Sequence, residues 1–233
     1  NPFEEMQKIL IEQSNHTENQ LQRYSDGAEI GFWTLAGGYD KYFNLIVKLI
    51  EDENLNFQSC KYNIKDNTIP KLLTLSSIIF LHHNNRLEDI LKREDVYIQR
   101  TSYNWLVSYI QELEKQDELF SVFAKDGQFY KDIVSKDNIN LFSNRLKEII
   151  NNIDYKKIVD DTKASLPFKE AFNLSQYFGI QEYQALSFSF QHNYQIITED
   201  RLFEVIFETL KFNQSMISNS LSLLDKKDVV PLG

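Results

Sequence analysis

The chain of 233 residues has one cysteine, four prolines, seven glycines and two methionines, and acids outnumber bases to leave a net charge of −9. Each scarcity excludes something. A lone Cys60 cannot form an intramolecular disulfide or a cysteine-rich zinc site, and it suits a reducing compartment. The acidic balance gives no bulk attraction to nucleic acid. No apolar run is long enough to span a bilayer, and no secretory pattern precedes the first helix, so a cytoplasmic protein without a membrane partner is expected. The chain opens at Asn1 and closes on Pro231-Leu232-Gly233, which leads to the expectation that it is a piece of something larger. What is present is a 42% hydrophobic, 13% aromatic content, enough for a full core.

Along the chain, helical spacing of apolar residues predicts a helix over residues 2 to 26, with Pro2 at its first position. Ile30, Phe32, Trp33 and Leu35 follow, and Gly37-Gly38 reads as a joint. It lacks the spacing and the Lys-Ser/Thr of a phosphate loop. An amphipathic helix carrying Tyr42, Phe43, Ile46 and Leu49 comes next. Residues 51 to 70, asparagine-rich and ending at Pro70, read as a linker.

The run KLLTLSSIIFL after Pro70 predicts a buried strand that includes Ile78 and Ile79 and leads into a helix. His82 and His83 at its end read as surface or capping residues, because helical neighbours diverge by roughly 100° and seldom share an ion. RLEDILK is helical and Val96-Tyr97-Ile98 is a short strand. Thr101 or Ser102 is the expected cap of a helix bearing Trp105, Tyr109 and Leu113. Residues 119 to 134 predict a hairpin turning at Asp126-Gly127, and 137 to 153 a helix. DYKKIVDDTK reads as a charged, solvent-facing stretch, with Asp160-Asp161 at the surface. Past Asp200 a helix is expected, with Glu204 and Glu208 on its outer face, and then a final helix over roughly 214 to 224.

The candidate site lies in GIQEYQALSFSFQHNYQIITEDRLF, residues 179 to 203. Gly179 opens a helix, Tyr194 to Ile197 form a strand, and Thr198, Glu199 and Asp200 follow its carboxyl end, where ligands collect in open α/β sheets. Glu182 could face Asp200 there, and such a carboxylate pair can hold a divalent cation. The plainer alternative stays open: acids at helix starts answer the helix dipole, and Thr-Glu-Asp is a good N-cap.

From about Leu72 to Phe203 the order of elements resembles a PIN domain, the metal-dependent nuclease fold, in the form found within large bacterial multidomain proteins. The GxxEYxAL and IITEDR pieces carry most of the resemblance. It implies a three-layer α/β/α fold with a mainly parallel central sheet over 67–233, a hairpin-helix insertion at about 119–153 and an N-terminal helical extension over 1–66. It also implies a ligand set for Mg or Mn, with RNA as substrate. Glu182 and Asp200 match two of the family's acids as catalytic and metal-binding residues, and Glu199 could assist. Thr74 stands where the first acid is expected and Asn104 where the second is, so the site is degenerate. With two of four acids missing, both the mutual repulsion that calls for a cation and the ligand count fall. The expectation is a binding or regulatory module, with adjoining domains or a protein partner. The alternatives are an active ribonuclease with altered ligands, and an unrelated helical interaction module.

Overall fold

A computed structural model describes residues 2–28, 30–37, 39–52, 60, 68–125, 128–161 and 171–224. Its centre is a five-stranded parallel sheet in the order β5-β2-β1-β6-β7, made of β1 (Lys71–Leu73), β2 (Val96–Gln99), β5 (Ile158–Val159), β6 (Gln195–Ile197) and β7 (Ile217–Ser218). A separate antiparallel hairpin joins β3 (Leu119–Lys125) to β4 (Gln128–Val134). The hairpin is where alternation predicted it; its turn, Asp126-Gly127, lies outside the described residues.

The helices fall on two faces. Leu73, Val96, Ile98, Ile158 and Ile197 share one core with residues of α2 (Phe32–Ala36), α3 (Tyr39–Glu51), α4 (Leu75–His83), α5 (Leu87–Leu91), α6 (Arg100–Glu114) and α7 (Lys136–Asn151). The alternate strand positions Leu72 and Ile196 pack against α8 (Ala171–His192) and α9 (Leu202–Thr209). Parallel strands bury both faces, and each crossover returns over the sheet with one hand, so the faces follow from the strand order. The chain steps from β1 to β2 and β5 on one side, then crosses under the sheet through α8 to place β6 on the other side of β1. The order therefore reverses between β1 and β6. The remaining helix, α1 (Pro2–Ser25), runs along β3.

Several expectations are corrected. The run KLLTLSSIIFL is strand only to Leu73; Thr74 accepts the Ser77 backbone N–H and starts α4, so Ile78 and Ile79 are helical. A helix buried on all sides reads as apolar throughout, as a central strand does. Neither Thr101 nor Ser102 caps α6. Gln99 holds the cap position, and the Asp161 carboxylate accepts the Thr101 backbone N–H from across the fold. The charged stretch hides β5, and the expected last helix is two 3-10 turns, Gln214–Met216 and Ser220–Leu223, around β7. Two-residue strands are too short to show a period. Glu204 is buried and pairs with Arg201 at 3.5 Å instead of facing water.

Lys71 is fully buried at the start of β1 and meets Asp95 at 2.8 Å. Asp95→Ala removes this carboxylate from beside the buried ammonium and is expected to cost about 3 kcal/mol, whereas Lys71→Met, which removes the charge with its hydration demand, costs less. Urea unfolding of both variants checks the order, and a larger loss for Lys71→Met counts against it.

Candidate functional site

The carboxyl ends of β1 and β6 lie side by side at the point where the strand order reverses, the place where open α/β sheets gather ligands. Leu73 pairs with Ile197, so Thr74 and Thr198 emerge next to each other, and the Thr74 backbone N–H donates to the Ile197 carbonyl at 3.0 Å. Hydroxyls bridge the two ends. Thr74 Oγ1 lies 2.9 Å from Ser76 Oγ, and Ser76 Oγ lies 3.4 Å from Thr198 Oγ1. Asp200 donates its backbone N–H to Thr198 Oγ1 at 3.1 Å, closing the turn that aims its side chain inward.

Three acids are buried here: Glu182 at 1%, Glu199 at 0% and Asp200 at 1% exposure. Each is met by donors from this chain. Asp200 Oδ2 accepts the Phe32 backbone N–H and Oδ1 the Leu202 backbone N–H, both at 2.9 Å. Glu182 Oε1 accepts the Tyr42 hydroxyl at 3.0 Å. Glu199 Oε1 accepts the Ser220 backbone N–H at 2.9 Å and the Ser77 hydroxyl at 3.3 Å, which ties the segment after β7 to α4. Sequence reasoning thus places Thr74, Glu182, Glu199 and Asp200 in one region, and the fold brings them together. Asn104 does not join them: it is exposed on α6, while its neighbour Trp105 packs edge-on against Tyr42, ring centroids 6.4 Å apart.

Burial pushes the Glu182 carboxyl up to about 8, opposed by the Tyr42 hydrogen bond and raised further by the charge of Asp200. Burial likewise lifts Asp200 to about 6, against the pull of the Leu202 and Phe32 amides. The Tyr42 hydroxyl is held well above its ordinary value by burial and by Glu182.

The partners supplied by the N-terminal helices were not read from the sequence. Tyr42 looks like any aromatic on an amphipathic stripe, and the Phe32 contribution is a backbone group, which no side-chain pattern reveals. The signal that was available is three hydroxyls, Thr74, Ser76 and Ser77, inside an otherwise apolar run. Two glycines let α2 approach. A Cβ on Gly31 would meet Leu202 Cδ2 at 2.6 Å and Asp200 Oδ2 at 3.5 Å. Gly179 breaks α8 with φ 72° and ψ 169°, and a Cβ there would meet the Trp33 ring at 2.9 Å.

Mg²⁺ takes hard oxygens in a near-octahedral shell and keeps several waters; here both Asp200 oxygens, Glu182 Oε1 and Glu199 Oε1 accept amide or hydroxyl donors of the chain in a buried position. Among the described residues no group of three or more His, Cys, Asp or Glu is placed to hold a metal ion. Two surface hollows among the described residues, one of about 970 Å³ between α1 and α2–α3 and one of about 760 Å³ between α3 and α7, are not lined by Glu182 or Asp200. No helix among the described residues is long and apolar enough to cross a membrane. No protein-family model, curated protein or solved structure matches the chain.

Gly179→Ala combines a glycine-only backbone conformation with a clash against Trp33 and is expected to destabilise the protein by about 2–4 kcal/mol. Chemical denaturation measures this, and a loss below about 0.5 kcal/mol would show that α2 is not seated on that residue.

Proposed function

We propose that this chain is a PIN-like domain whose acidic centre no longer performs hydrolysis, and that it serves binding or regulation within a larger protein. One observation carries the reading: Asp200 and Glu182, the two acids matching the nuclease pattern, spend oxygens on Phe32, Leu202 and Tyr42 of the same chain. Metal-assisted phosphodiester cleavage needs carboxylates that can bind an ion, bring in water and reach a phosphate. Carboxylates at 1% exposure with intramolecular donors do none of these. The order of elements supports the kinship, with Thr74 and Asp200 at the adjacent ends of β1 and β6. The net charge of −9 also works against a long polyanion as ligand.

The test is incubation of the purified chain with Mn²⁺ and single-stranded RNA, with Asp200→Asn alongside. The expected result is no cleavage above that of the variant. Cleavage that the Asp200→Asn substitution abolishes would replace this reading with an active ribonuclease using an altered ligand set.

A further inference from the structure

On the other side of β1 from the acidic centre, the carboxyl ends of β2 and β5 meet the start of α6. Gln99 closes β2, pairs in register with Val159 of β5 and holds the cap position of α6 without a side-chain cap bond. It is fully buried, and neither Nε2 nor Oε1 has a hydrogen-bond partner. Ser102, in the first turn of α6, is fully buried too, and its Oγ is likewise unpartnered. Helical Cα–Cβ bonds tilt toward the N-terminus, so this hydroxyl is turned to the open end of the helix. Buried amides and hydroxyls that meet nothing cost stability. The outer side of the same helix end is open to water. Thr101 is half-buried, and the exposed Asp161 carboxylate accepts its N–H at 3.1 Å. Arg100, the first residue of α6, divides its guanidinium between Asp160 and the Tyr155 hydroxyl.

We propose that this junction binds a phosphate group, and that Asp161 occupies part of the site until the phosphate displaces it. Helix α6 has 15 residues; its first amides lack carbonyl partners within the helix and lie at the positive end of the dipole. The two buried side chains narrow the ligand class. Ser102 Oγ and Gln99 Nε2 can donate to an anionic oxygen, whereas Gln99 Oε1 can only accept. A sulfate or a carboxylate brings acceptors alone and leaves that oxygen unmet. A phosphate that still carries one P–OH supplies the missing donor. Arg100 provides the counter-charge. Its present partner Asp160 is 81% exposed and loses little by returning to water. The site shares no residue with the Glu182–Asp200 centre and does not depend on kinship with nucleases, so it stands or falls separately from the RNA result.

The chain's net charge of −9, with Asp154, Asp160 and Asp161 close by in sequence, opposes any anion. Removing the charge of Asp161 and its hold on the Thr101 amide should therefore tighten phosphate by about fivefold, the size of one charge interaction at a helix end. Ser102→Ala should weaken it at least about tenfold, because a hydroxyl bonded to an anion is lost. The same substitution should leave the urea midpoint of the phosphate-free chain unchanged, since Ser102 Oγ bonds to nothing there. A purely structural hydroxyl would behave the opposite way, lowering the midpoint and leaving phosphate alone.

The experiment follows backbone amide NMR shifts of the full chain as inorganic phosphate is added at constant ionic strength. Sulfate and phenyl phosphate are the parallel titrants, and Ser102→Ala and Asp161→Asn are measured beside the native sequence. The expected result is saturable movement of the Thr101 and Ser102 amides with phosphate, at least about tenfold weaker with sulfate. Binding should be tighter in Asp161→Asn and weaker in Ser102→Ala. An equal response to phenyl phosphate assigns the site to phosphate esters, and a response to inorganic phosphate alone assigns it to the free ion. Sulfate matching phosphate, or Thr101 and Ser102 amides that stay still even in Asp161→Asn, overturns the proposal. Should Ser102→Ala not fold, Gln99→Met decides. Losing the amide should erase the preference for phosphate over sulfate, and a preference that survives it overturns the assignment.

Discussion

The hydrogen bond from the Phe32 backbone to Asp200 spans 168 positions of chain, and the organisation of the molecule depends on it and on its companion from Tyr42 to Glu182. A carboxyl taken out of water must find donors in the protein or give up its charge. Here the donors come from α2 and α3, so these helices complete the interior that the sheet and α4 begin. Phe32, Tyr42, Phe43, Ile46 and Leu49 belong to the same buried cluster as Leu73, Ile98 and Ile197. The apolar packing supplies most of the adhesion between them. The two polar contacts set where α2 and α3 sit along the sheet edge, since buried acceptors tolerate little displacement of their donors.

The same constraint accounts for the polar composition of the switch point. Thr74, Ser76, Ser77, Thr198 and Glu199 are all buried, in a position where an α/β sheet would ordinarily present groups to a ligand. Their hydroxyls and amides satisfy one another across adjacent strand ends. This is how a dry interior can contain so many polar atoms without losing stability. The arrangement has the placement of a binding site and the bonding of a structural joint.

Much of the frame was legible. Long helices with a clear 3.6-residue stripe, α1, α3, α6 and α7, were located, as were β2, β6 and the hairpin, whose signals are local. Glu182, Glu199 and Asp200 were legible as acids flanking one strand, whereas Thr74 joined them only through the resemblance, since the run around it reads as unbroken strand. What escaped were short or doubly buried elements. In β5 and β7 two residues give no period to read, and α4 is buried from Leu75 to Leu81 with no polar stripe turned to water. Asn104 was aligned by order along the chain, but the rotation of α6 turns it to solvent and points Trp105 inward instead.

By itself the sequence determined what is local: which segments are amphipathic, where glycine and strand-end polar residues interrupt them, and that the acids Glu182, Glu199 and Asp200 flank one strand. Only the tertiary structure decided what those acids meet. Their partners are a backbone amide at Phe32, a hydroxyl on α3 and an amide at Ser220, groups from distant parts of the chain that no spacing connects. A carboxylate's chemistry depends on the water and donors around it, and these are properties of the folded interior, not of the residue.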